Sequence, residues 1–167
     1  AVSGLTAGKR YYYAFYATNN AGGQNWATIS SFWTVPTAPA AAAATAIGSS
    51  SFSANWTETS ADGATYLLDV STNNVFVNYV GGTLYSNKSV GNVITYLVSG
   101  LAAETPYYYR LRTQNNGGTS TNSAVIGPVT TTAGPSTPNI DNASGATGVT
   151  ISVAWLNGTL NSTGNAP

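Results

Sequence analysis

Five side chains in this 167-residue sequence could carry acid–base chemistry: Glu58, Asp62, Asp69, Glu104 and Asp141. Histidine and cysteine are absent. Their absence removes the usual general base, the commonest metal ligand and any disulfide. Only Glu58 and Asp62 stand close together, in a stretch that reads as a short loop. A glycosidase-like carboxylate pair must sit roughly 5–10 Å apart across a cleft. A short loop offers no cleft, and loop carboxylates are ordinarily solvated. No catalytic residue is expected. No cofactor or metal site is expected either, because no calcium-loop or His-x-x-x-His pattern occurs.

A second group is aromatic. Tyr12 and Tyr16 share one parity, with Ala14 between them, and Trp26 and Trp33 lie on the segment that returns beside them. Exposed tyrosines and tryptophans could stack on sugar rings or form a subunit contact. A protein contact is the stronger reading, since apolar patches on such surfaces mostly mark one. Tyr12, Tyr16, Trp26 and Trp33 are therefore the candidate interaction surface. A third group is the five Asn-x-Ser/Thr triplets that begin at Asn55, Asn87, Asn142, Asn157 and Asn161. In a chain this rich in Asn, Ser and Thr, chance matches are expected.

Charge excludes further classes. Charged residues make up 6% of the chain and the net charge is zero. The basic residues form no run, so no nucleic acid partner is expected. No apolar run reaches the length of a membrane helix, and the first residues do not read as a signal peptide. A neutral surface of Thr, Ser, Asn and Gly suits an assembly, or an extracellular or cell-surface setting.

The elements that would position these residues are strands. In Tyr107–Thr113, Tyr107, Tyr109 and Leu111 share one parity, while Tyr108, Arg110 and Arg112 take the other. Alternate strand residues point to opposite faces. The first set should face a core and the second water. Phe52, Ala54 and Trp56 alternate in the same way, as do Tyr66, Leu68 and Val70, and Ile94, Tyr96 and Val98. Phe76–Val80 and Ser123–Thr130 read as further strands. Ala40–Ala44 follows Pro39 and reads as an extended first strand rather than a helix. Near the start, Tyr11–Thr18 and Trp26–Thr34 read as a hairpin turned by Asn19–Gly23.

Seven short strands with turn signals and no helical pattern imply an antiparallel sandwich. The run Leu101-x-x-x-Thr105-x-Tyr107 resembles the tyrosine corner of fibronectin type III domains, in which a tyrosine hydroxyl turns back to upstream backbone. On that resemblance Tyr107 is the corner residue and Leu101 the plug before it. Tyr11 and Leu5 hold the matching places upstream. The inward Trp56 is similar to the family's core tryptophan. The implied fold class is all-β: an antiparallel immunoglobulin-like (fibronectin type III) β-sandwich, with one complete and two partial repeats.

The expected division is residues 1–35 as the last hairpin of one repeat, 36–133 as a complete domain, and 134–167 as the first strands of another. Val149, Ile151, Val153 and Trp155 alternate like Phe52, Ala54 and Trp56, and Trp155 lies 99 residues after Trp56. The modules are similar to those of large secreted bacterial proteins. The resemblance implies a non-catalytic structural or adhesive protein, with other copies of itself or flanking repeats as partners and head-to-tail filament assembly as one outcome. The alternative it implies is a carbohydrate-binding or spacer module of a secreted carbohydrate-active enzyme, with glycans as partners.

Overall fold

The structure is a computed structural model describing residues 1–143 and 145–162. Ser144 and Thr163, which complete two of the Asn-x-Ser/Thr triplets, lie outside these. Residues 1–132 make one compact unit and those from Ala133 onward a second. Among the described residues every regular element is a strand.

The chain opens on a hairpin split into two ladders. β1 (Arg10–Tyr13) pairs with β4 (Ser30–Trp33), and β2 (Tyr16–Thr18) pairs with β3 (Gln24–Trp26). The sequence suggests one unbroken strand on each side. The structure interrupts them at Ala14-Phe15 and at residues 27–29. Between β2 and β3 the turn is held by Asn19, whose side-chain oxygen accepts from the Ala21 and Gly23 amides.

Two layers follow. β5 (Ala41–Thr45), β6 (Ser51–Trp56) and β9 (Thr95–Ser99) form a three-stranded sheet. β8 (Lys88–Gly91), β7 (Thr65–Ser71), β10 (Pro106–Asn115), β11 (Gly118–Thr119) and β12 (Ile126–Thr130) form the other. The expected inward residues make the core between them. Phe52, Ala54, Trp56, Tyr66, Leu68, Val70, Val98, Tyr107, Tyr109 and Leu111 are all buried. Each large side chain so placed contributes about 1.5–3 kcal/mol. Ile94 is an exception, exposed just before β9.

Tyrosine hydroxyls find partners at the edges of this core. The Tyr107 hydroxyl accepts from the Ala102 amide at 2.9 Å, which is the expected corner. The Tyr11 hydroxyl accepts from the Thr6 amide at 2.8 Å, the same five-residue step. Tyr109 donates to the Ala42 carbonyl and accepts from the Asn55 amide, tying one layer to the other.

Three local expectations are corrected. Phe76–Val80 is not a strand. Phe76 has φ 58°, the Asn73 side chain accepts from the Val77 amide, and Ser71 donates to the Asn78 carbonyl. These bonds fold the segment into turns, and the ladder on β7 is completed by β8 instead. The last strand is regular only from Ile126. Before it, the hydroxyls of Ser120 and Ser123 accept from the Thr113 and Leu111 amides and so replace ladder bonds. Arg110 and Arg112 do not simply face water, being half-buried over Asp69.

In the second unit β13 (Asn139–Asp141) pairs with β16 (Thr159–Ser162), and β14 (Ala146–Thr147) with β15 (Trp155–Leu156). Val149–Val153 is a loop, and Trp155 is 68% exposed rather than buried. Its neighbour Leu156 is 88% exposed as well. The Asn55 side-chain amide donates to the Ala43 carbonyl and the Thr45 hydroxyl. Asn157 makes the same two bonds to Gly145 and Thr147. Thr45 lies opposite Ser53, and Thr147 opposite Trp155. All of these positions are displaced by 102 residues. The two hairpins thus share one clamp, with Trp155 in the position of Ser53 and Leu156, not Trp155, in that of Ala54.

Candidate interaction surface

The head hairpin meets the sandwich at a built joint. Gly8 donates to the Val35 carbonyl, and its own carbonyl accepts from the Asp62 amide at 2.7 Å. The Asp62 carboxylate accepts from Lys9 Nζ at 2.9 Å and from the Arg10 amide at 3.1 Å. Lys9 also donates to the Ser60 carbonyl. From the other side, the Asn115 side chain donates to the Thr34 carbonyl at 3.2 Å. Asp62 and Asn115 reach the same stretch because the loop after β6 and the turn after β10 lie at one end of the sandwich.

Two glycines permit the approach. A Cβ on Gly117 would fall 2.6 Å from the Thr34 carbonyl oxygen, and one on Gly8 would fall 2.6 Å from the Ala61 Cβ. Gly117 meets backbone, which cannot swing aside. Gly117→Val should therefore part the hairpin from the sandwich while leaving the core melting transition nearly in place. Near-ultraviolet circular dichroism of Trp33, whose ring lies against Gly63, would report the parting.

Lys9 and the Arg10 amide hold the Asp62 carboxyl below its ordinary value of 3.8. A lowered folded-state value contributes stability that is complete above the ordinary value and lost as pH falls through the lowered one. The joint should thus be insensitive to pH from 7 to 5 and loosen only below about 3.8. In Asp62→Asn that acid transition should vanish from the Trp33 signal.

The four candidate aromatics divide. Tyr16 and Trp26 are direct cross-strand partners with ring centroids 4.6 Å apart. Tyr12 and Trp33 are linked through Arg10, whose guanidinium lies 4.9 Å from the Tyr12 ring and 5.6 Å from the Trp33 ring. Tyr12 is 63% and Trp26 66% exposed, and Tyr16 is exposed too. Trp33 is half-buried in the joint. Tyr11 and Tyr13 hold the places of Tyr107 and Tyr109 and are expected to be buried like them, but on the opposite face of the same hairpin Tyr11 is only half-buried and Tyr13 is exposed. There Tyr11 stacks on Phe32 at 5.7 Å, and Tyr13 contacts both Phe32 and Phe15. Phe15 is 74% exposed, and Tyr13 and Phe32 are exposed as well.

Of the carboxylates, Asp62 belongs to the joint and Glu58 is exposed nearby. Asp69 is 1% exposed. It accepts from Arg110 Nε at 2.9 Å, from Arg112 Nη2 at 3.0 and 3.1 Å, and from the Asn87 amide at 2.7 Å. Arg110 lies 4.1 Å from the Phe76 ring centroid. This cluster pins the segment between β7 and β8 to the outer face of β10.

The model of the Fibronectin type III domain matches residues 37–129, more than half of the chain. The chain belongs to the fibronectin type III family. No curated protein matches it in sequence. Among solved structures, this fibronectin type III chain is similar to domains A168–A170 of titin, at 21% identity and TM-score 0.51. That match covers 73% of this chain and 41% of the titin chain, so this chain spans less than half of its relative's length. A fibronectin type III domain of the human KIAA0970 protein is similar at 17% identity and TM-score 0.47, over 62% of this chain and 80% of that one. The first likeness bears on the fold alone.

Two of the asparagines that begin Asn-x-Ser/Thr triplets hold strand pairs together. Asn55 and Asn157 spend their side-chain amides on the strand clamps described above. Asn87 is exposed, with its backbone amide on Asp69.

Proposed function

We propose that this chain is a non-catalytic structural protein that sets spacing and orientation between fibronectin type III modules outside the cell or at its surface. Self-association through exposed sheet faces is part of the same reading, and adhesion is its biological use. One observation carries it: the joint among Gly8, Lys9, Thr34, Asp62 and Asn115 fixes one hairpin against the next sandwich through side chains and backbone together. A flexible tether would need none of these bonds. The charge-poor, hydroxyl-rich composition supports the extracellular setting.

The test uses the absence of cysteine. Spin labels on Ala21→Cys and Asn92→Cys, both exposed positions, give one distance across the joint by double electron–electron resonance. A narrow distribution that broadens in Gly117→Val supports the spacer. A distribution equally broad in both removes it.

Carbohydrate binding is the second reading, and the exposed Tyr16–Trp26 pair favours it. Binding on a glycan array that is lost in Trp26→Ala would support it.

A further inference from the structure

The structure separates the three Asn-x-Ser/Thr triplets whose residues are all described. The Asn55 side-chain amide donates to the Ala43 carbonyl and the Thr45 hydroxyl, and that of Asn157 to the Gly145 carbonyl and the Thr147 hydroxyl. A sugar joined to either nitrogen would replace one of its two hydrogens and set a bulky group inside a strand pair. Asn87 differs. Its side chain is exposed and hydrogen-bonds to no described residue, and Ser89, which completes the triplet, is exposed too. Its backbone, by contrast, is tied down. The Asn87 amide donates at 2.7 Å to the Asp69 carboxylate, which Arg110 and Arg112 hold in turn. Its φ is 54°, in the left-handed region that asparagine tolerates better than most residues. It leads directly into β8, the edge strand of its layer. Both layers of the sandwich are present around it, so this exposure is a property of the complete domain.

We propose that Asn87 is an attachment site for an N-linked glycan, and the acceptor among these three triplets. The proposal rests on the extracellular reading above, because the sugar donor is met on the way out of the cell. That donor is a lipid-diphosphate oligosaccharide. Asn87 Nδ2 forms a bond to C1 of its first sugar, and the bond from C1 to the diphosphate oxygen breaks. The amide gives up one proton and the lipid diphosphate leaves. Ser89 supplies the hydroxyl that the transfer requires two residues on. The sandwich accepts the product without rearrangement, since none of its bonds uses the Asn87 side chain. Charged residues are only 6% of the chain, and a glycan supplies hydration that charge does not. Its root is fixed at the start of β8, whose outer side carries no strand among the described residues. A bulky hydrated group there hinders a foreign strand from adding to that edge, the task that lysine and proline perform at other edges.

The full chain, secreted from a eukaryotic cell line behind a cleavable leader, tests it. Intact mass and peptide mapping should find Asn87 glycosylated in most molecules and Asn55 and Asn157 bare. Peptide N-glycosidase should remove the glycan and leave an aspartate in place of Asn87. Asn87→Gln and Ser89→Ala should each lose the whole mass step at this site. Ser89→Ala keeps Asn87 and its bond to Asp69, so it should melt within a few degrees of the enzymatically deglycosylated parent and separates a lost glycan from a damaged fold. A folded, secreted chain with Asn87 bare overturns the proposal. A glycan on Asn55 in chains that keep the parent's melting temperature overturns it as well, because the clamp would then not select among the triplets. The leader carries the chain outward whatever its own destination. A bare Asn87 therefore removes this site and leaves the extracellular reading standing, which fractionation of the source cells tests by itself.

Discussion

Asp69→Ala is expected to destabilise the complete domain by about 3–5 kcal/mol, the usual cost of leaving a buried charge without its partner. Asp69 is enclosed, and Arg110 and Arg112 are both committed to it. Removing the carboxylate leaves two guanidinium groups converging on a place with no counter-charge, and it strips the Asn87 amide of its acceptor. Each kcal/mol shifts the melting temperature of a domain this size by roughly 4–8 °C, so the fall should exceed about 12 °C. The triple change Asp69→Leu, Arg110→Leu, Arg112→Met removes charge from both sides and should recover most of the loss, because an apolar replacement of similar volume matches a buried ion pair. Thermal unfolding by circular dichroism decides both points. A drop of under about 3 °C for the single variant would show that water already screens the cluster.

That cluster also marks where the sequence stopped being legible. Parity placed Phe52, Trp56, Tyr66, Tyr107, Tyr109 and Leu111 in the core, and each is buried. The tyrosine corner was readable at both Tyr11 and Tyr107 because a short motif encodes it. Alternation assigns a side chain to a face, but not to what covers the face. Arg110 and Arg112 took the outer face as expected and then met Asp69, whose own parity says nothing about two partners more than forty residues on. Phe76–Val80 failed for the converse reason. Its composition suits a strand, yet Asn73 and Ser71 offer the backbone competing bonds that no periodicity reveals. Counting from tryptophan to tryptophan gave 99 residues. The matching clamps of Asn55 and Asn157 are instead 102 residues apart, because backbone pairing rather than the most conspicuous side chain sets which positions correspond. The joint was the least legible part. Glycines 8 and 117 read as turn residues, and only three dimensions show that each faces another segment.

Tyr109→Ala should be the second severe change, costing about 3–5 kcal/mol as large aromatic truncations in cores do. Its ring packs on Phe52 in full burial, and its hydroxyl joins the Ala42 carbonyl to the Asn55 amide. Tyr109→Phe separates these roles. It keeps the ring and strands two backbone groups, so a loss of roughly 1–3 kcal/mol belongs to the hydroxyl. A pH series tests the same assignment independently. Burial pushes the Tyr109 phenol above its ordinary value of 10.0. A group raised in the folded state contributes stability that is complete below the ordinary value and lost as pH rises toward the raised one. Urea midpoints of the unmodified chain should therefore fall between pH 9 and 11 more steeply than those of Tyr109→Phe, which has no proton to lose there. The difference between the two chains isolates Tyr109 from the other tyrosines and the lysines. Parallel curves would mean that its hydroxyl is hydrated in the folded chain, and the link between the two layers would then rest on apolar contact alone.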